Sequence, residues 1–166
     1  AVIAIEGVSN RLALAKRFGA DEVIDISQTT SWAERVAKVK ALTGGRGGDI
    51  VVEVVGVPDV ITEGLQMLRE GGTYLEIGNI SYGRTVALDP SQLVWGSKRI
   101  QGVIMYDPWV IPEALDFLVR TKDKYPHGDV ISHKFKLEDI NNAFENSEWA
   151  REGSPTKVNR GVVVMA

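Results

Sequence analysis

The stretch that decides the fold is "AVIAIEGVSNRLALAKRFGADEVIDI", residues 1–26. Five apolar residues, Ala1 to Ile5, run directly into Glu6 and Gly7, as a buried parallel strand does where it reaches its functional end. Ser9 or Asn10 offers a cap for a helix whose apolar positions Leu12, Ala15 and Phe18 share one face. Gly19 stands where a C-terminal glycine belongs. Glu22 to Ile26 then reads as a second short strand.

The alternation continues outward from there. Residues 31–44 predict a helix started at Ser31 and stopped at Gly44. "DIVVEVVG" (residues 49–56) is a strand apolar on both faces, hence expected at the centre of a sheet. "PDVITEGLQMLREGG" supplies a helix with Pro58 at its start and Gly71 at its end. "TYLEIGN" (73–79) is a strand, "DPSQLVWGS" (89–97) a short helix and "KRIQGVIM" (98–105) a strand. This rhythm predicts a doubly wound α/β fold, a parallel sheet covered on both faces. Beyond Pro112 the texture changes. Residues 112–126 form an amphipathic helix, "VISHKFK" (130–136) a strand, residues 137–150 a helix with Leu137, Ile140 and Phe144 inward, and "RGVVVM" (160–165) a closing strand.

Composition narrows the function classes. The 166 residues, 44% hydrophobic and 25% charged, suit one globular domain with a sizeable core. The net charge of −3 spreads over 19 basic and 22 acidic residues, without the basic stripe of a nucleic-acid binder. No apolar run approaches the roughly 18 residues of a membrane span. Cysteine is absent, which removes disulfides and thiolate-bound zinc from this stretch and suits a cytoplasmic protein.

Ligands of doubly wound folds bind at the carboxyl ends of the strands, so the residues found there are the candidates. Glu6 has two readings: an acid that accepts from the 2′- and 3′-hydroxyls of an adenosine ribose, or a solvated acid at a strand end. "VEVVG", "EIGN" and "GVIM" each place a glycine among apolar neighbours, either for tight turns or to let a flat ring approach the backbone. His127 and His133 lack the spacing of a metal pair and read as structural or surface residues. Glu53, amid valines, is either paired or at an accessible edge. No G-x-S-x-G elbow occurs. Trp32, Trp95, Trp109 and Trp149 are scattered and suit core or interface anchors better than a stacking platform.

In order along the chain, "VIAIEGVSNRLALAKRFGADEVID", "GGRGGDIVVEVVGVPDVITEGLQMLREGGTYLEIG" and "HKFKLEDINNAFE" resemble the medium-chain dehydrogenase/reductase family, and within it the zinc-dependent alcohol dehydrogenases. The resemblance implies a Rossmann-like sheet lacking its first strand and glycine-rich loop. It divides the chain into a partial NAD-binding domain, residues 1–125, and a return segment of the catalytic domain, residues 126–166. Glu6 matches the acid on the adenosine ribose, which implies NAD over NADP, and Arg11 a basic residue near it. Val55 and Gly56 match positions lining the adenine-ribose side. Ile77, Gly78 and Asn79 match the strand end that meets the nicotinamide, and Val103 and Met105 backbone positions holding its carboxamide. Arg160 matches a basic residue reaching the pyrophosphate, with Lys157 only three residues away. No catalytic acid, base or metal ligand is assigned to this chain.

The resemblance further implies a small-molecule alcohol as substrate and a homodimer through the 99–105 edge strand, with neither nucleic acid nor membrane as partner. An unpaired apolar edge would otherwise invite aggregation. The ribose acid usually follows the G-x-G-x-x-G fingerprint by about 20 residues, which would place the fingerprint about 14 residues before Ala1. The first strand and the amino-terminal domain, where zinc is expected, are likewise not in these residues, so the sequence reads as a carboxy-terminal half. Rival expectations are a non-catalytic nucleotide-binding or dimerisation remnant, a zinc-free quinone reductase, and an S-adenosylmethionine-dependent methyltransferase. A sheet without its first strand leaves apolar edges unpaired, so the isolated 166 residues are not expected to be a stable unit. A cooperative, reversible melt of the isolated monomer would contradict that.

Overall fold

Three parallel strands organise the middle of the chain: β3 (Gly48–Glu53), β4 (Leu68–Glu76) and β5 (Arg99–Gly102), side by side in that order. The computed structural model describes residues 1–80, 82–147 and 160–165. They divide into two units, Thr29–Asp107 and Ala1–Gln28 with Pro108–Ala166.

In the Thr29–Asp107 unit, α2 (Trp32–Leu42) and α3 (Val60–Met67) precede and follow β3. Ser31 caps α2 as its sequence predicts, accepting from the Glu34 amide at 3.2 Å, while Glu34 Oε2 accepts from the Thr30 amide at 2.8 Å. The two bonds satisfy amides at the helix start reciprocally. α3 covers one face of the sheet. Leu65, Leu68 and Tyr74 are buried there, with Val51, Ile61, Leu88 and Leu93 packed against them. Gly64 makes this possible: a Cβ at that position would lie 2.3 Å from the Tyr74 ring. Arg35 of α2 grips Glu63 of α3 with both ends of its guanidinium, Nε to Oε1 at 2.6 Å and Nη2 to Oε2 at 2.7 Å, and both side chains are largely buried. A short helix, α4 (Ser91–Trp95), precedes β5.

In the other unit, β1 (Ile3–Glu6) and β2 (Glu22–Asp25) pair in parallel across α1 (Ser9–Arg17). Phe18 stacks on Tyr125 with ring centroids 5.9 Å apart, and the His127 ring packs edge-on to Phe18, Phe117 and Tyr125. After α5 (Val110–Thr121) come β6 (His133–Lys136), α6 (Ile140–Ser147) and β7 (Gly161–Val164), with β6 and β7 again parallel.

Parallel pairing and α/β alternation are thus as expected, among the described residues in three sheets rather than one continuous sheet. Several details differ. The strand expected at the centre is an edge: among the described residues β3 pairs with β4 alone, and Ile50 and Val52 are 61% and 53% exposed. Its apolar residues on both faces call for two covers, and α3 supplies one. The helix expected to reach Gly71 ends at Met67, because residues 69–72 form a bulge in β4, where pairing jumps from Gly48–Leu68 to Ile50–Thr73. Ser9 and Asn10 are the first helical residues of α1 and Val8 holds the cap position. Ile26 begins a short 3₁₀ turn, so β2 ends one residue earlier than predicted, and the 3₁₀ turns at His127 and Leu137 make β6 and α6 start later. Ala143 is buried in α6, while Phe144 is 70% exposed and Leu137 is exposed. Trp32, Trp95 and Trp109 are exposed, so none anchors a core. Trp149, Lys157 and the end of the last predicted helix, residues 148–150, lie outside the described residues.

Replacing Arg35 by Met strands a largely buried carboxylate. The expected loss is about 2 kcal/mol of stability, the scale of charged hydrogen bonds, with much of it regained in the Arg35→Met, Glu63→Met double variant. Denaturant melts of the three proteins check this, and a neutral single variant would contradict it.

Candidate functional site

Glu6 closes β1, and the chain turns immediately into α1. Glu6 Oε1 accepts from the amides of Gly7 (2.7 Å) and Val8 (3.1 Å), two donors that no capping side chain satisfies. Oε2 faces Nη1 of Arg11 at 3.7 Å, on the first turn of the helix. The two residues expected to meet a ribose are therefore neighbours, and both are partly exposed.

Register brings the next group together. Glu53, Glu76 and Gly102 stand side by side across β3, β4 and β5, so the turns that follow share one end of the sheet. Ile77 and Gly78 both donate to the Glu53 carbonyl at 3.1 Å, and Val103 donates to the Glu76 carbonyl at 2.9 Å. Val55, Ile77 and Val103 present exposed apolar side chains at this end. The glycines there serve different purposes. Gly56 has φ +77°, and a Cβ on it would lie 2.7 Å from the Gly78 carbonyl oxygen. A Cβ on Gly78 would lie 2.5 Å from the Gly56 nitrogen and 2.7 Å from Glu53 Oε2. Close approach of the two turns thus requires both residues. Gly102, by contrast, has nothing within 4 Å of such a Cβ.

At the base of these turns lies a group that the sequence did not single out as a site. Glu53 is 2% exposed. Its Oε1 accepts from the amides of Val55 (2.5 Å) and Gly56 (2.7 Å), and its Oε2 from Gly78 N (3.1 Å) and Asn79 Nδ2 (3.3 Å). Of the two readings left open for it, the structure supports the paired one. Glu76 Oε1 accepts from the backbone and the side chain of Asn79 at 3.1 and 3.0 Å. Burial, then contact with the Glu53 carboxyl, holds the Glu76 carboxyl above its ordinary value. The available signal was two strands ending in Glu followed within three residues by Gly, "EVVG" and "EIG".

Met105, 83% exposed, has φ +59° in the turn after β5, a left-handed conformation uncommon for a non-glycine residue. Arg160 precedes β7 in the other unit, where its carbonyl accepts from the Ser132 amide at 3.0 Å. His127 Nε2 contacts Thr121 Oγ1 at 2.8 Å and His133 Nδ1 contacts Ser132 Oγ at 2.9 Å. Among the described residues no three His, Cys, Asp or Glu side chains converge on a metal site, so the donors present do not fit zinc. No helix among them is long and apolar enough to cross a membrane. Gly78→Ala would drive a methyl group into backbone, with an expected cost of about 1–3 kcal/mol, measurable as a lowered denaturation midpoint.

A family model described as "Zinc-binding dehydrogenase" matches residues 1–120. The chain is 30% identical over 144 residues to 5-exo-hydroxycamphor dehydrogenase of Pseudomonas putida, covering 87% of this chain and 40% of that protein. A crystal structure of an alcohol dehydrogenase from Thermotoga maritima matches with a TM-score of 0.86 at 26% identity, over 99% of this chain and 43% of that one. A putative zinc-binding dehydrogenase from Sinorhizobium meliloti, bound to NADP, shares the fold with a TM-score of 0.73 at 24% identity, over 92% and 43% of the two chains. The chain spans about 40% of the length of the first curated relatives it matches. With the family model matching residues 1–120, the chain belongs to the zinc-binding dehydrogenase family, whose cofactor-domain half it matches.

Proposed function

We propose that the chain is the cofactor-binding half of an NAD-dependent alcohol or polyol dehydrogenase, with residues 126–166 returning to the catalytic domain. The observation that carries this reading is Glu6 at the carboxyl end of β1, beside Arg11, in a chain of the zinc-binding dehydrogenase family. A carboxylate there accepts from two ribose hydroxyls and repels a 2′-phosphate. The exposed apolar side chains of Val55, Ile77 and Val103 and the open approach at Gly102 suit the flat rings of a dinucleotide. The left-handed backbone at Met105 is the sort of local conformation that clusters at ligand clamps.

When bound, NAD supplies the ring that accepts a hydride from the alcohol carbon. The residues of this chain orient it. Glu6 holds the ribose, Val55 and Gly56 line the adenine-ribose side, and Ile77, Gly78 and Asn79 flank the nicotinamide. Backbone at Val103 and Met105 holds the carboxamide, and Arg160 reaches the pyrophosphate. Homodimerisation through β5 belongs to the same reading: among the described residues β5 is a sheet edge, and Ile100, Ile104 and Tyr106 are exposed along it and beyond. A cytoplasmic location suits the lack of cysteine. The methyltransferase alternative falls with the family assignment. A zinc-free quinone reductase remains the second reading, favoured if NADPH is the preferred cofactor.

The test is a titration of the protein as its cells produce it with NADH and NADPH, followed by an alcohol panel with NAD. Tighter binding of NADH is expected, and Glu6→Ala is expected to cut the NADH-to-NADPH preference by roughly tenfold or more, the worth of a charged hydrogen bond. An unaltered preference would overturn the role of Glu6. Cofactor binding without oxidation of any alcohol would point to the non-catalytic remnant.

A further inference from the structure

Glu53 and Glu76 are direct cross-strand partners. Their side chains meet on the face that α3 covers, the face that also carries Tyr74 two residues before Glu76. Two carboxylates in such contact do not both ionise readily, because like charges in a site of low polarity repel. Neither forms an ion pair with a Lys or Arg among the described residues. The other titratable groups facing them offer no positive charge. The Tyr74 hydroxyl is buried without a partner, and its proton is held more tightly than usual, chiefly by burial. Glu63, on α3, is already bound by Arg35.

Hydrogen bonding says where a proton belongs. Each oxygen of Glu53 already accepts from two N–H groups, so its acceptor positions are filled. Glu76 Oε1 accepts twice from Asn79, and Glu76 Oε2 is buried with no donor at all. A lone buried carboxylate oxygen is costly, and a proton there removes its charge; burial and the neighbouring Glu53 carboxyl both favour that proton.

We propose that the Glu53–Glu76 pair holds one proton, carried on Glu76 Oε2, and that this singly charged pair latches the turns at residues 54–56 and 77–79 into the shape that receives the dinucleotide. Both acids are positioning residues: they act through Val55, Gly56, Gly78 and Asn79. The proposal about the turns rests on the cofactor reading above; the proton on Glu76 does not. A carboxyl that folding makes hold its proton more tightly contributes stability below its ordinary value of 4.5. It loses that contribution as pH climbs through its raised value. Loss of that proton leaves two facing carboxylates and loosens both turns.

Two measurements on the protein as its cells produce it decide the matter. Infrared spectra with carboxyl-labelled glutamate, without cofactor, are expected to show a protonated carboxyl above the ordinary carboxylate range that disappears in Glu76→Gln. Absence of that band in the wild type overturns the proton on Glu76. NADH affinity, followed by fluorescence from about pH 5 to about pH 9, is expected to weaken about tenfold as the pair loses its proton, the worth of one pKa unit of linkage. Glu76→Gln keeps a neutral side chain beside Glu53, so its affinity is expected to lose that pH dependence. A wild-type profile flat in pH, or one that Glu76→Gln leaves unaltered, overturns the latch. Failure of the wild type to bind NADH at any pH would instead sink the cofactor reading, with the infrared band still deciding the proton.

Discussion

Parallel pairing is the constraint on which the rest of the middle unit depends. Strands that run the same way must end at the same edge, so the turns after β3, β4 and β5 are gathered by topology before any side chain is considered. Each strand must also be joined to the next by a crossover, here α3 and then α4, and α3 becomes the cover for one face. Gly64 lets that cover settle against Tyr74, and the Arg35–Glu63 grip ties α2 to it. The site at the strand ends is a consequence of these contacts.

What holds the strand ends in shape is a buried acid. Glu53 collects four N–H donors from two turns, and Gly56 and Gly78 lack side chains where those turns touch. The arrangement orders both turns without relying on a bound ligand. Asn79 bridges Glu53 and Glu76, so its side chain serves the turn. Glu6 solves a related problem at the end of β1. Its Oε1 takes up two amides of the turn into α1, and its Oε2 faces Arg11.

Much of this was legible in the residues. The ends of α1 and α2 follow from Gly19, Ser31 and Gly44 because capping is local chemistry between near neighbours. The pairing of Glu6 with Arg11 follows from strand end and first helical turn. The early end of α3 was not legible, because "LREGG" continues the helical pattern while its partner strand pulls Leu68 into the ladder and bulges the residues after it. Nor was the inward side of α6, where Ala143 is buried and Phe144 is not: helical periodicity shows that a face exists, and only the neighbours decide which side is covered.

By itself, then, the sequence determined the alternation of elements, their parallel direction, the family and the positions of the strand-end candidates, since each is written in local pattern or in an ordered run of motifs. Tertiary structure alone decided that β3 is an edge among the described residues, that Gly56 and Gly78 exist for one another, and that Glu53 meets Glu76. Those facts depend on register between strands more than 20 residues apart, and no local periodicity carries information about which residue will stand opposite which.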